Sequence, residues 1–175
     1  MIDMKERAKN VIVEIARQSS GDAIEGKVKL FKAFYFAHLY YAGDEVSYLT
    51  EWPIVRMPRG PGIDDFAMLI DELVDEGRIR VEHITVGPYP SVRFCATDPA
   101  QHPNAGAVKA ISKAVRFVSN KTGGELSDIT HEYCQSWATT PNGSELNIYS
   151  DLVRRDPAAE KRAENVSKAV NEVFG

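Results

Sequence analysis

The stretch Lys27 to Ala42, "KVKLFKAFYFAHLYYA", constrains the fold more than any other part of the chain. After Lys32 it is apolar on nearly every side when wound at helical spacing. A helix of that kind is buried all round, whereas a surface helix shows one apolar stripe. A chain that carries it must wrap other elements about it. Phe31, Phe34, Tyr35, Phe36, Tyr40 and Tyr41 are therefore expected in the core, on a helix from Lys27 to Tyr41 stopped by Ala42-Gly43-Asp44.

The covering elements follow from periodicity. Ala8, Val11, Ile12, Ile15 and Ala16 mark a first helix that ends in Gln18 to Asp22. The Pro/Gly-rich stretch Val46 to Gly62 is irregular, with room for a short strand and a turn. Ile63, Phe66, Ala67, Ile70, Leu73 and Val74 predict a third helix, Ile63 to Glu76. Asp64 and Asp65 are expected in its first turn, where acids suit the helix dipole, and Gly77 as its C-terminal cap. Alternation in Arg78 to Glu82 and Val92 to Ala96 predicts a β-hairpin, with Gly87 to Pro90 as a longer, stiff turn.

Val108, Ile111, Val115 and Val118 mark a fourth helix, ended by Thr122-Gly123-Gly124. A short helix, Glu125 to Glu132, carries Leu126 and Ile129, with Tyr133 just beyond. Pro141-Asn142-Gly143 is a turn, and a short element lies near Ile148. Asp156-Pro157 starts a last helix over 157–175, with Ala163, Val166, Val170 and Val173 as its stripe. The expectation is one domain over 1–175, mainly α with a small β-hairpin (α+β). It reads as a compact helical domain with a winged-helix-like hairpin insertion.

A chain of 175 residues with 43% hydrophobic and 26% charged residues is ordinary for a soluble globular domain. The net charge of -4 gives no global attraction to nucleic acid or anionic membranes. No apolar run approaches the ~20 residues that span a bilayer, and "MIDMKERAKN" is no signal peptide. The expected location is the cytoplasm, which makes the sequons at Asn120 and Asn142 chance matches. Cys95 and Cys134 are the only cysteines. Two reduced, buried thiols are favoured over one disulfide.

The chemistry-bearing motifs fail one by one. His131-Glu132 begins the H-E-x-x-H pattern, but Gln135 stands where the second ligand must be. His38, His83 and His102 share no ligand spacing, so neither metal nor cofactor is expected. Cys134 and His131, three apart, could meet on a helix. A reactive thiolate needs a positive neighbourhood, however, and Asp128 and Glu132 are the near neighbours. Gly60-Pro61-Gly62 departs from a phosphate loop, since the third glycine is missing at Asp65, and reads as a tight turn. The helix before the hairpin would be the DNA-reading helix of a winged helix. It carries six carboxylates and no Lys or Arg, which opposes binding to phosphates. The wing offers only Arg78, Arg80 and Arg93, and no basic groove is visible in the sequence.

Trp and Arg are the residue types that anchor interfaces. Trp52, Arg56 and Arg59 in the Pro/Gly-rich loop are candidate partner-binding residues. Asp64, Asp71 and Asp75 on the neighbouring acidic helix face could steer a basic partner to the same patch.

Three ordered segments carry a resemblance. "KLFKAFYFAHLYY" resembles the K-L-x-K-L-x-Y-x-A-H opening of the Panacea antitoxin domain, also called the SocA-like antitoxin family. "WPIVRMPRGPGIDDFAML" resembles its W-x-x-G-P block, although Trp52 stands well before Gly60-Pro61, with Arg56 to Arg59 between. "LSDITHEYCQSW" resembles its closing L-S-x-x-T-H…W block. The resemblance covers about 27–152. It implies an antitoxin-like, in some cases phage-associated, module that neutralises a toxin protein by direct contact. It also implies no catalytic residue, and it gives Gly60, Pro61, Thr130, His131 and Trp137 a structural role in the motif. His131 is expected to bond backbone groups while Trp137 packs on the core. The alternatives are a DNA-binding regulator that uses the hairpin and an enzyme with an unrecognised site.

Overall fold

The computed structural model describes residues 3–98, 103–155 and the four positions 168, 169, 172 and 173. Helix α1 (Met4–Gln18) leads through strand β1 (Ala23–Glu25) into α2 (Lys27–Asp44). A ribbon of β2 (Ile54–Met57) and β3 (Gly60–Ile63) follows, then α3 (Phe66–Asp75). Strands β4 (Ile79–Val86) and β5 (Tyr89–Ala96) form the hairpin, and helices α4 (Ala105–Ser119) and α5 (Gly123–Tyr133) close the domain. A 3-10 segment, Ile148–Arg155, ends the continuous part.

The fold is an α+β domain built around α2, as the all-round apolar pattern requires. Leu30 to Leu39 are all buried, Lys32 and His38 included. Phe36 packs on Phe117 of α4 with ring centres 4.7 Å apart, and Phe31 meets Phe66 of α3 edge-on at 4.8 Å. A fully buried aromatic such as Phe36 contributes roughly 1.5–3 kcal/mol relative to an exposed one. The helix runs three residues past Tyr41 and stops at Asp44.

With the β2–β3 ribbon set aside as an insertion between α2 and α3, the order α1, β1, α2, α3, β4, β5 is winged-helix-like, as is the sheet order β1-β5-β4. Strand β1 escaped the sequence reading because three residues hold no periodicity. It pairs antiparallel with β5, Ile24 opposite Phe94. The hairpin strands are longer than expected. Val86 pairs with Tyr89, which leaves Gly87-Pro88 as a two-residue turn, Gly87 having φ 59°. A glycine with positive φ at the first turn position suits the right-handed twist of a hairpin, so the ladder closes early.

The start of the third helix is corrected. Ile63 belongs to β3, opposite Ile54, because its backbone is claimed by the ribbon. Asp64 and Asp65 therefore precede the helix, and Asp65 takes the left-handed φ of 46° as its N-cap. Phe66, Leu69, Ile70 and Leu73 form the buried stripe, whereas Ala67 and Val74 are exposed. Gly77 does follow the cap, with φ 71° and its N–H on the Val74 carbonyl.

The Thr122-Gly-Gly124 stretch also has a different part. Thr122 opens α5 through a capping box: its hydroxyl accepts from Glu125 N–H, and Glu125 accepts from Thr122 N–H. The last helix, expected over 157–175, lies largely outside the described residues. Lys168, Ala169, Glu172 and Val173 are helical, and Val173, placed in a core stripe by its spacing, is 72% exposed. Both cysteines are free and buried. Among the described residues no helix is long and apolar enough to cross a membrane.

Candidate functional site

The three segments of the resemblance meet at the β2–β3 ribbon. Lys32 on α2 is 1% exposed, and its Nζ donates a 2.9 Å hydrogen bond to the Pro61 carbonyl on β3. Gly60 beside it has φ 107°. A Cβ built there would lie 2.5 Å from Thr130 Oγ1 of α5 and 2.8 Å from Lys32 Nζ. At Gly62 a Cβ would lie 2.5 Å from Met57 Cγ and 3.0 Å from the Phe31 ring. The two glycines thus let β3 lie directly on α2 and α5. Gly60-Pro61-Gly62 lies in strand β3 as a packing device, and Asp64 and Asp65 stand between it and the helix that follows.

Thr130 is buried and turns its hydroxyl back onto the Leu126 and Ser127 carbonyls at 3.0 and 3.1 Å. His131 next to it points outward and stacks on Trp137, with ring centres 4.0 Å apart and an interplanar angle of 25°. The backbone hydrogen bonds expected of His131 are replaced by this stack. Trp137 is half-buried against the core, and its Nε1–H donates to the Met57 carbonyl at 2.9 Å. Arg56 of β2 lies over the same indole, Cζ 4.3 Å from the ring centre, and donates to the Thr140 carbonyl. The "DITHEYCQSW" stretch therefore clamps the ribbon to α5 through one tryptophan.

Arg56 and Trp52 are consequently not free anchors. Trp52 is half-buried, and its Nε1–H is spent on the Asp64 carbonyl at 2.8 Å. Arg59 at the ribbon turn is exposed, as are Asp71 and Asp75 on α3. Asp64 is half-buried and accepts from Asp65 N–H. Part of the acidic helix face is already used within the chain. Glu72 pairs with Lys5 at 2.8 Å, and Glu76 pairs with the buried Lys9 at 2.5 Å.

Positive charge gathers under and around the ribbon. Burial first, then repulsion from Arg59, pulls the Lys32 amine down to about 7, with Cys134 acting the other way. Burial and the Lys32 charge lower His131 as well, with Asp128 opposing. The Cys134 thiol goes in the opposite direction, pushed up to about 12 by burial and by Asp151. A thiol at that value is protonated at neutral pH. The Lys32 amine is shut off from solvent, so no substrate carbonyl reaches it in this arrangement.

Sequence reasoning missed two further buried polar groups. Asp151 in the 3-10 segment is fully buried and accepts from Tyr35 Oη at 2.5 Å and from Gln135 N–H at 2.9 Å. It ties the 3-10 segment to α2. His38 is 1% exposed, with Nδ1 2.7 Å from the Phe34 carbonyl and Nε2 2.6 Å from Thr50 Oγ1. A carbonyl only accepts, so Nδ1 carries the proton and Nε2 accepts from Thr50. Burial pulls this imidazole down to about 4. Lys32 had one signal in the sequence, as the only charge deep inside an apolar helix; Asp151 had none.

No group of three or more His, Cys, Asp or Glu side chains placed to hold a metal ion occurs among the described residues. The class reached on geometry is thus an α+β domain of winged-helix order with a positively charged, tryptophan-clamped ribbon. Compared with protein-family models, with curated proteins and with solved structures, the chain gives no match.

Proposed function

We propose that this chain is a cytoplasmic protein-binding module, similar to Panacea-type antitoxins, that neutralises a toxin protein by direct contact. The observation that carries this reading is the meeting of the three resembling segments. Lys32, Gly60-Pro61 and Thr130-His131 come from distant parts of the sequence and converge on one ribbon. Segments that pack into one unit are constrained together, which supports reading them as one motif. The docking face in this reading is the exposed acidic side of α3 with Asp71 and Asp75, and Asp64 at its start. It would be steered electrostatically onto a basic partner.

A second reading, a DNA-binding regulator, is favoured by the winged-helix order. Four ion pairs count against it. Arg78 is held by Glu6 and Asp98 at 2.7 and 2.8 Å, Arg80 by Glu82 at 2.8 Å, and Arg93 by Glu25 at 2.6 Å. The wing's arginines are thereby neutralised where phosphates would need them.

The test is co-expression with the product of the adjacent open reading frame. Growth arrest by that product alone, relieved by this chain and lost on reversing Asp64, Asp71 and Asp75 together, is the expected result. Relief that survives the triple reversal moves the docking face elsewhere. Arrest that this chain does not relieve overturns the reading.

A further inference from the structure

We infer that the groove between the N-terminal ends of α2 and α5 and the tip of the β4–β5 hairpin is a docking surface for an acidic segment of a protein partner. The inference deepens the protein-binding reading and rests on it.

The groove has a volume of about 910 Å³ and is lined by Lys27, Lys29, Arg59, Lys121 and His83, with Glu25 as its one carboxylate. Glu25 is itself held by Arg93 at 2.6 Å. Elsewhere several cations are neutralised. Lys5, Lys9, Arg78, Arg80, Arg93 and Lys113 each hold a carboxylate. Among the described residues, none of the four groove Lys and Arg side chains does. Two of them are nonetheless positioned. The Lys27 ammonium rests over the Phe31 and Phe66 rings at 5.3 and 5.5 Å. Lys121 Nζ donates to the Phe117 carbonyl at 2.8 Å and lies 4.1 Å from that ring's centre.

A helix start adds to this charge. Gly26 caps α2 with no side-chain bond to its free N–H groups. Gly123, the first residue of α5, stands so near that its Cβ would be 3.5 Å from Val28 Cβ. The α5 start is already met by the Glu125 carboxylate of its capping box, so it is the uncapped α2 start that turns a positive end to this space. The α2 start and the unneutralised cations brought together repel one another. A partner carboxylate entering the groove relieves that repulsion, which is the charge complementarity of a docking surface.

The occupant's chemistry follows from the rim and from the whole chain. Pro90 removes a donor from the open edge of β5, so a partner strand cannot simply extend the sheet. Tyr89 and Val86 at the hairpin tip are 72% and 52% exposed and offer apolar contact beside the cations. Side chains flanking a glutamate or aspartate would use that contact. The chain's net charge is -4. A long polyanion such as nucleic acid is repelled beyond the groove, whereas a short acidic segment meets only the groove.

The probe is a short fluorescein-labelled peptide of alternating Glu and Ser, titrated with the full chain and followed by anisotropy over a salt series. Saturable binding is expected, weakening with salt. Lys27→Glu with Lys121→Glu should weaken it by about tenfold or more, and Arg59→Ala by a smaller factor, with thermal melts showing that the variants fold. Reversal of Arg7 and Lys109, exposed cations that do not line the groove, should leave it unchanged. An undiminished affinity in the groove variants, or an equal loss in the control, overturns the inference. A thymidine oligonucleotide of equal charge that binds more tightly than the peptide overturns the choice of a protein segment. Peptide binding absent while toxin neutralisation persists removes the groove and leaves the protein-binding reading. Neutralisation absent while the groove binds the peptide removes that reading instead.

Discussion

Lys32 Nζ and the Pro61 carbonyl are joined by a 2.9 Å hydrogen bond in the interior of the domain. This bond ties the central helix to the β2–β3 ribbon and holds an amine where water does not reach. Its consequence is a pH-dependent stability. The folded amine titrates at about 7, below the ordinary lysine value of about 10.4. Between these values the unfolded chain binds a proton that the folded chain sheds, so stability rises with pH from about 7 upward. Cys134, raised to about 12, opposes this only above the ordinary thiol value near 8.5. Denaturant titrations between about pH 7 and 8.5 should show the rise, and Lys32→Met should flatten it and stabilise the protein most at the acid end.

His38 governs the acid side. Its folded value of about 4 lies below the ordinary 6.5, so the unfolded chain takes up its proton first as pH falls. The stability associated with the neutral ring is complete above about pH 6.5 and is lost on descending toward 4. Replacement His38→Gln keeps a donor and an acceptor and should reduce the slope between about pH 6.5 and 5, where most carboxylates are still ionised.

Gly60→Ala should be among the most damaging conservative changes in the chain. The new methyl meets Thr130 Oγ1 and Lys32 Nζ at under 3 Å, and the backbone stands at φ 107°. Overpacking and strain of this kind each cost roughly 1–3 kcal/mol. The same change at Gly143, with positive φ but open space around it, should cost less. Equal melting points for the two variants would contradict the packing role given to Gly60.

Trp137→Ala should lower stability by about 3 kcal/mol, the low end for a large aromatic because the ring is half-buried. The loss combines the hydrogen bond to Met57 with the stack against His131 and the Arg56 contact. His131→Ala removes one side of that clamp at the surface and should cost under about 1 kcal/mol. A Trp137→Ala protein that melts like wild type yet no longer neutralises a partner would make Trp137 a binding residue instead of a structural one.

Local pattern determined a good deal of this molecule. The buried central helix, the stripes of α1 and α4, the hairpin and the cap at Gly77 all follow from period and turn chemistry, which act between near neighbours in sequence. The structural part given to Thr130 and Trp137 came from the resemblance, and their contacts are a hydroxyl turned onto the α5 carbonyls and an indole N–H on Met57. Tertiary structure decided the rest. Ile63 and Val74 fit a helical stripe, but Ile63 was taken by pairing with Ile54, and Val74 fell outside the packed face. Trp52 and Arg56 looked like free anchors until their donors met the Asp64 and Thr140 carbonyls. The cationic groove was invisible because Lys27, Arg59 and Lys121 lie far apart along the chain. Charge and burial depend on what lies within a few ångströms in space. Only folding brings α2, the ribbon turn and the start of α5 within that range.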